Sequence, residues 1–596
     1  MQVIIPAAGM GSRLGELTKN NTKCLVEVNG KTLISRALKN IYLAGIKKVV
    51  LIIGFEGDKL KKALGYKYKD VEITYVENKY YDTTNNIYSI FLAKDEIEKD
   101  DSIILESDII FDKNLLIDLI KDKNKNLVVA DEFESWMDGS VVTIDSKKNV
   151  KEFFSRNEVN LDKRKEYFKT VNIYKFSKKF LKEIYFPILS IFVSKGHLSE
   201  YYESPLKIVP HTKFNILKIF LAHQYKWHEI DDIQDLDLAS IKFLNSKKAF
   251  EAISKRYGGL WRFPSVLDYC YLVNPYFPNE QLKKELKFNL EALIGSYPST
   301  QFVQSMIASR LFKIDTKYLI VGNGGAEIIN EIGRYFNSKF NLFSPTFKEY
   351  EQRFKDKKIN VISTNNFHYD VKNFLKESDD KNGLILVNPD NPSGSFIEKE
   401  DIINFLSRNK KQTIIIDESF IDFSDKKHKY SLIDKDLLID HPNLFVLKSI
   451  GKSYGVGGLR LGVLASGNEK VLKEISTKLS IWNINSLAEN FLQIAPKYQN
   501  EFELSCEMIE KERNYLYKKL LNIPFLKPFP SQANYIFCEV KKLNARELCE
   551  KMLEKYKIFI KLYEHKNFDN HIRLSIRSRE DNLRLLSAFK SFHDER

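Results

Sequence analysis

Through its first 245 residues the chain alternates short β-branched runs with amphipathic segments, and no other feature restricts its fold as much. QVIIP (2–6) is followed by TLISRALKNIYLAGI (32–46), KKVVLIIGF (47–55), VEITYVEN (71–78), DSIILESDIIF (101–111) and NLVVADE (126–132). Runs of period two separated by segments of period 3.6 are strands joined by crossover helices. They predict an α/β, Rossmann-like domain with a mostly parallel, doubly wound sheet. Ligands of such sheets gather beyond the carboxyl ends of the strands, so candidate residues are sought there.

A chain of 596 residues is too long for one hydrophobic core. The helical pattern LDLASIKFLNSKKAFEAISKRY (236–257) stops at Gly258-Gly259, a natural helix end. We therefore read a first domain over 1–250 and a second over 262–596. The hydrophobic fraction of 43% and charged fraction of 29% exclude a disordered or fibrous chain. The net charge of +14 comes from 93 basic and 79 acidic residues interspersed along the length, so no nucleic-acid partner is expected. MQVIIPAAGMG has no basic n-region, and apolar stretches such as YFPILSIFV (185–193) fall short of the roughly 20 residues a membrane span needs. A cytoplasmic location is expected. The five cysteines show no CxxC spacing, which indicates neither a zinc site nor a disulfide framework.

PAAGMGSRL (6–14) follows the first strand directly. Gly9 and Gly11 let backbone approach a ligand, and Ala7 and Ala8 leave room for a flat base. Arg13 and, ten residues on, Lys23 flank this turn with two fixed cations, as triphosphate binding requires. The spacing is not that of a Walker loop. The segment resembles the GxGxRxxxxTxxxPK-L signature of sugar-phosphate and alcohol-phosphate nucleotidyltransferases, with Asn21-Thr22 where many members carry proline before the lysine. That resemblance implies Mg2+ held by Asp108, in ILESDIIF, and by Asp231, in WHEIDDIQDLDLA, with the adjacent Asp232 as the alternative ligand. Asn85, Asn86 and Tyr88 in YYDTTNNIYSIFLAKD resemble the choline-phosphate and phosphonate cytidylyltransferases more than the hexose enzymes, and Asn86 is assigned to the nucleotide. Asp138 in WMDGSVV is a candidate for a substrate ammonium, and Tyr202 and Glu203 in EYYESPLK are further substrate candidates. Trp136 is either part of an aromatic cage or a surface tryptophan.

In the second domain VLKSIGKSYGVGGLRLG (446–462) places Lys452 and Arg460 among glycines. A lysine that must lose its proton to act as a nucleophile needs burial and cationic neighbours. VGNGGAEIIN, SPTFKEYE, VNPDNPSGSF and IIIDESFIDF appear in order before it. The set resembles the aspartate-aminotransferase-fold (type I) branch that contains histidinol-phosphate aminotransferase and threonine-phosphate decarboxylase. The resemblance implies pyridoxal 5'-phosphate carried by Lys452. Asp417 would pair with the pyridine nitrogen and Asn391 with the ring oxygen, while Phe347 stacks on the ring. Gly324, Gly325 and Ala326 would hold the phosphate with Ser449 and Arg460. Phe420 stands where many aminotransferases have tyrosine, and Gly451 where serine is common. Arg573 in HIRLSIRSRED matches the arginine that grips a substrate carboxylate, although a phosphonate or phosphate could take its place. Arg577 is either structural or a second anion contact.

The fusion implies successive steps on one metabolite. It resembles fused cytidylyltransferase–transaminase enzymes of phosphonate metabolism, with CTP, 2-aminoethylphosphonate or a similar small phosphonate or phosphate, and an alanine/pyruvate amino couple as partners. Enzymes of this pyridoxal-phosphate fold are usually dimeric, so a homodimer through the C-terminal domain is expected. Two other readings stand beside it: a phosphocholine or amino-alcohol-phosphate cytidylyltransferase fused to a threonine-phosphate-decarboxylase-like enzyme, and a nucleotide-sensing first domain that regulates an aminotransferase.

Overall fold

The computed structural model describes residues 1–134, 136–212, 216–354, 359–363, 381–425, 430–564 and 568–595. The chain divides into two compact units, Met1–Lys255 and Arg256–Arg596.

In the first unit, strands Ser102–Leu105, Gln2–Ala7, Lys48–Ile53 and Val71–Glu77 are parallel neighbours in that order. Successive side chains of a strand point to opposite faces, and here both faces are covered. Val3, Ile5, Val49 and Leu51 pack against Ile34, Leu38 and Ile41 of helix Leu33–Leu43. Ile4, Val50, Ile52 and Ile104 pack on the other side with Ile87 and Ile90 of helix Asn86–Leu92 and with Phe180 and Tyr185. Each such side chain stabilises the unit by roughly 1.5–3 kcal/mol, and Ile4→Ala would cost ~2–5 kcal/mol. Beyond Leu105 the sheet turns antiparallel: Phe168–Phe176 pairs antiparallel with Ser102–Leu105, Leu127–Glu132 and Val141–Ile144. The expected doubly wound order thus holds at the centre and gives way to hairpin-like pairing at one flank.

DSIILESDIIF forms two strands, Ser102–Leu105 and Ile109–Phe111, with Glu106, Ser107 and Asp108 at the break between them. The long helical pattern at 236–257 is also interrupted. It forms Ile233–Lys242 and Ser246–Ser254, because the Asn245 side chain accepts a hydrogen bond from Lys248 N and starts a new helix.

The second unit contains a seven-stranded sheet in the order Leu319–Asn323, Leu461–Ser466, Leu444–Ser449, Ile414–Asp417, Gly383–Val387, Phe340–Ser344, Ile359–Ser363. Its last five strands are parallel. Ile320, Leu342, Ile385, Ile415, Leu447 and Leu464 cover one face against Ile328, Ile329 and Ile332 of helix Gly324–Tyr335. A five-stranded sheet, Leu267–Tyr269, Ile558–Tyr563, His571–Ser575, Tyr535–Val540 and Leu526–Pro528, carries the C-terminal motifs. All five cysteines are buried and free. Among the described residues no helix is long and apolar enough to cross a membrane.

Candidate active sites

In the first unit, strand Gln2–Ala7 delivers the buried Ala7 and Ala8 to the Gly9–Gly11 turn. Gly11 has φ +63°, and a Cβ there would lie 3.0 Å from Lys23 Cβ, so the missing side chain is what lets the lysine stem pass. Lys23 Nζ donates to Asp108 Oδ2 at 2.6 Å and to Asp231 Oδ1 at 2.8 Å, and Arg13 Nη2 reaches Asp231 Oδ1 at 2.7 Å. Burial disfavours the ammonium, but the two carboxylates outweigh it and hold Lys23 well above the ordinary lysine range. Asp231 faces this cluster. Asp232 does not, because it caps helix Ile233–Lys242 in a reciprocal box with Asp235.

One group was missed in the sequence. Carboxylate oxygens of Asp108, Glu229 and Asp231 lie within 4.8 Å of one another. Asp108 Oδ1 is buried with no hydrogen-bond partner among the described residues, an oxygen suited to a cation. Glu229 accepts from Asn172 Nδ2 at 2.8 Å and pairs with the buried Lys169 at 3.0 Å, and burial pushes its carboxyl up to about 7. Glu106 is raised too, by burial first and then by Asp108 and Glu203. The available signal was spacing: Glu229 and Asp231 are two residues apart at the end of strand Trp227–Glu229, which on an extended chain puts both on one side.

Asn86 sits between these groups. Its Nδ2 donates to Glu106 Oε1 at 3.3 Å, and its Oδ1 accepts from Tyr202 N at 3.0 Å. Asn85 starts helix Asn86–Leu92, while Tyr88 is half-buried and stacks on Phe91. Tyr202 and Glu203 are buried, with Tyr202 Oη and Glu203 Oε2 unpartnered among the described residues, and burial pushes Glu203 up to about 7. Asp138 lies between Arg13 at 3.6 Å and Arg156 at 3.3 Å, so its carboxylate already faces two guanidinium groups. Trp136 is partly exposed and stacks on His228. A cleft of about 300 Å³ joins Gly9, Arg13, Lys23, Glu106, Asp108 and Asp231.

In the second unit, Lys452 follows strand Leu444–Ser449, its Nζ 5.7 Å from the Phe347 ring centroid and 4.8 Å from that of Phe420. Burial, with Arg460 and Arg573 acting against Asp417, lowers its pKa, the direction a nucleophilic amine requires. Asp417 ends strand Ile414–Asp417, buried, and accepts from Tyr350 Oη at 3.0 Å and Ser419 N at 3.0 Å. Gly324 (φ +76°), Gly325 and Ala326 open helix Gly324–Tyr335. A Cβ at Gly324 would lie 2.5 Å from Arg460 Nη2, so that guanidinium rests against the helix start, while Gly325 approaches the Ser449 side chain. Gly451 packs closely: a Cβ there would lie 3.2 Å from Gly457 Cα and 3.4 Å from Val456 O, so the serine common elsewhere would require this neighbouring backbone to give by a few tenths of an ångström.

Arg573 is buried. It donates to Asn391 Oδ1, to Tyr563 Oη at 3.2 Å and to Cys270 O at 2.8 Å, all neutral acceptors, and its Nε has no partner among the described residues. Lys561 is its register partner on the adjacent strand, a second cation on the same face that the sequence reading missed. Burial, opposed by Cys270 and aided by Arg573 and Lys348, lowers the Lys561 pKa. Arg577 is engaged by Asp581 at 2.9 Å. A lowered lysine, a buried carboxylate and a glycine-lined helix start with an arginine fit a phosphorylated pyridine aldehyde, and Arg573 with Lys561 fits an anionic substrate.

A family model for aminotransferase class I and II matches residues 266–589, and one for nucleotidyl transferase matches residues 2–184. The chain is 27% identical to a CMP-5'-(3-aminopropyl)phosphonate synthase of Streptomyces rubellomurinus, over 99% of this chain and 94% of that protein. It is 28% identical to an L-serine phosphate decarboxylase of Campylobacter jejuni, over 54% of this chain and 87% of that protein. The histidinol-phosphate aminotransferase structure from Clostridium acetobutylicum superposes with a TM-score of 0.51 at 27% identity, covering 56% of this chain and all of that one.

Proposed function

Because the chain belongs to the class I and II aminotransferase family, whose fold implies pyridoxal phosphate, and carries a nucleotidyl transferase region ahead of it, we propose one bifunctional enzyme of phosphonate metabolism. The second domain, 262–596, interconverts phosphonoacetaldehyde and 2-aminoethylphosphonate, with alanine/pyruvate as the amino couple. The first, 1–250, joins 2-aminoethylphosphonate to CTP, giving CMP-2-aminoethylphosphonate and pyrophosphate. The observation that carries this reading is the pairing of the Lys23–Asp108–Asp231 cluster with a lysine site whose substrate end holds two cations, in a chain similar along its length to a phosphonate CMP-conjugate synthase.

In the first unit Asp108 and Asp231, with Glu229 beside them, would hold Mg2+, which supplies charge neutralisation at the phosphates. Arg13 and Lys23 bind the triphosphate while Ala7, Ala8, Gly9, Gly11 and Asn86 line the nucleotide's place. A phosphonate oxygen attacks the α-phosphorus, the bond from α-phosphorus to the bridging oxygen breaks, and pyrophosphate leaves with its electron pair. The nucleophile is already anionic, so positioning and charge stabilisation supply the rate, with no protein base. Asp138, Tyr202 and Glu203 remain the candidates for the amino end.

In the second unit pyridoxal phosphate, when bound, supplies the electron sink. Asp417 keeps the pyridine nitrogen protonated, Asn391 addresses the ring oxygen and Phe347 the ring face. Gly324, Gly325, Ala326, Ser449 and Arg460 bind the phosphate. Lys452 carries the cofactor and moves the proton at the substrate carbon. Arg573 and Lys561 bind the phosphonate, whose double charge suits two cations better than a carboxylate does. Phe288, Ile294, Tyr297, Phe302 and Ile481 are exposed apolar side chains of this unit that support a homodimer.

A pyrophosphate-release screen with four nucleoside triphosphates tests the first reaction. No release from CTP with 2-aminoethylphosphonate would end the proposal. Phe420, with no hydroxyl near Lys452, favours a second reading of the second unit as a decarboxylase of a phosphorylated amino acid, and carbon dioxide release would identify it.

A further inference from the structure

Strand Phe168–Phe176 breaks its ladder beside the carboxylate cluster of the first unit. It pairs with Leu127–Glu132 at Thr170↔Ala130 and again at Tyr174↔Val128, so four residues of one strand pass two of the other. Extra residues in one strand form a bulge, which bends the strand and re-aims a side chain. Asn172 lies in that interval with φ +58°, the left-handed region that is costly for a residue with a Cβ and least so for asparagine and aspartate. Its carbonyl accepts from Glu106 N at 3.2 Å, so the other edge of the strand stays attached where Ser102–Leu105 ends.

The re-aimed side chain is buried and reaches Glu229. Asn172 Nδ2 donates to Glu229 Oε1 at 2.8 Å, and Asn172 Oδ1 accepts from Thr170 Oγ1 at 2.9 Å. The other oxygen, Glu229 Oε2, pairs with Lys169 Nζ at 3.0 Å. The bulged strand thus supplies one donor to each oxygen of a carboxylate whose own strand, Trp227–Glu229, ends at that residue. Carboxylate oxygens of Glu229, Asp108 and Asp231 lie within 4.8 Å of one another, and Asp108 Oδ1 has no partner among the described residues. A carboxylate that holds a cation is ionised and only accepts, and with one donor at each oxygen it keeps lone pairs for the ion. Glycine would meet the backbone requirement at no steric cost, and the amide is what glycine lacks.

We propose that Asn172 is a positioning residue for the divalent cation: its left-handed backbone is kept so that its amide holds Glu229 as the third carboxylate facing the ion. Groups that hydrogen-bond a metal-ligating carboxylate from behind change metal affinity by roughly 10–100-fold when removed. The proposal rests on the first unit being a metal-dependent transferase of CTP.

The test separates side chain from backbone. Asn172→Gly removes the amide and relieves the backbone, whereas Asn172→Ala removes the amide and keeps a Cβ in the left-handed region, so the glycine variant melts a few degrees above the alanine variant. Both variants should raise the dissociation constant of the Mn2+–CTP complex for the full-length chain about tenfold or more, in calorimetric titration without acceptor. An equal loss of affinity at unequal stability is the signature of positioning. A loss that follows the melting temperature, or no loss in either variant, overturns the inference alone. A wild-type chain that takes up no Mn2+–CTP overturns the transferase reading and the inference with it.

Discussion

The two sites handle their cations in opposite ways. In the first unit Lys23 is bridged by two carboxylates at 2.6 and 2.8 Å, and Arg13 shares one of them. In the second unit Arg573 meets, among the described residues, only neutral acceptors, with Lys561 across the ladder from it. On the proposed function, the balanced cluster with its unsatisfied Asp108 oxygen would take a metal that accompanies a polyanion, and the unbalanced one would take the anion itself. The contrast teaches that the two reactions sort by which partner brings the missing charge.

The sharpest way to separate the units is to disable one. Lys452→Ala should lower amino transfer by ~10³-fold or more, since on the proposed function the residue both carries the cofactor and moves a proton, while CTP-dependent pyrophosphate release stays within twofold of wild type, a margin of about 0.4 kcal/mol. Loss of both activities would show that the sites are not independent. Asp108→Asn is the reciprocal variant. Transfer should fall by ~10²–10³-fold with amino transfer intact, and chelation of divalent metal should reproduce it. A nucleotide sensor would change in affinity only.

The charge contrast itself is tested by Arg573→Gln, which should raise KM for the phosphonate on the order of 10²-fold, and by Lys561→Met, which should raise it less. If Lys561→Met leaves KM for a phosphonate unchanged, the second cation is not part of the anion site. The smallest effect concerns stability. Glu203 and Glu229, about 7 when folded against 4.5 for an ordinary glutamate, take up protons as pH falls through 7, before the unfolded chain does. The native state therefore gains stability between pH 8 and about 6.5. Below that His228, at about 3 when folded against 6.5 for an ordinary histidine, opposes the gain. Calorimetry should show the first unit's melting rise by a few degrees across that window, and a flat profile would mean these carboxyls are ionised in the fold.

Much of this was legible in the sequence, for identifiable reasons. Glycine turns and strand-to-helix alternation are local, so Gly9–Gly11, Gly324–Gly325 and the central parallel strands were readable. The antiparallel flank was not, because a run such as FKTVNIYKF has the same period whichever neighbour it pairs with. Glu229 and Lys561 escaped notice because a charged residue in a strand reads as ordinary alternation until its cross-strand partner is known, and Glu106 because the break after Ser102–Leu105 does not show in a run as apolar as DSIILESDIIF. Asp231 could not be told from Asp232 because only the helix start at Ile233 separates capping from cleft.

The opposed Lys561 and Arg573 have one more consequence. Like charges facing each other across a ladder are a standing cost to the empty protein, and an anion that relieves them is bound to the folded chain alone. On the proposed function that anion is the phosphonate, and its supply would govern persistence as well as flux: a second unit without it would open more often and meet proteases sooner.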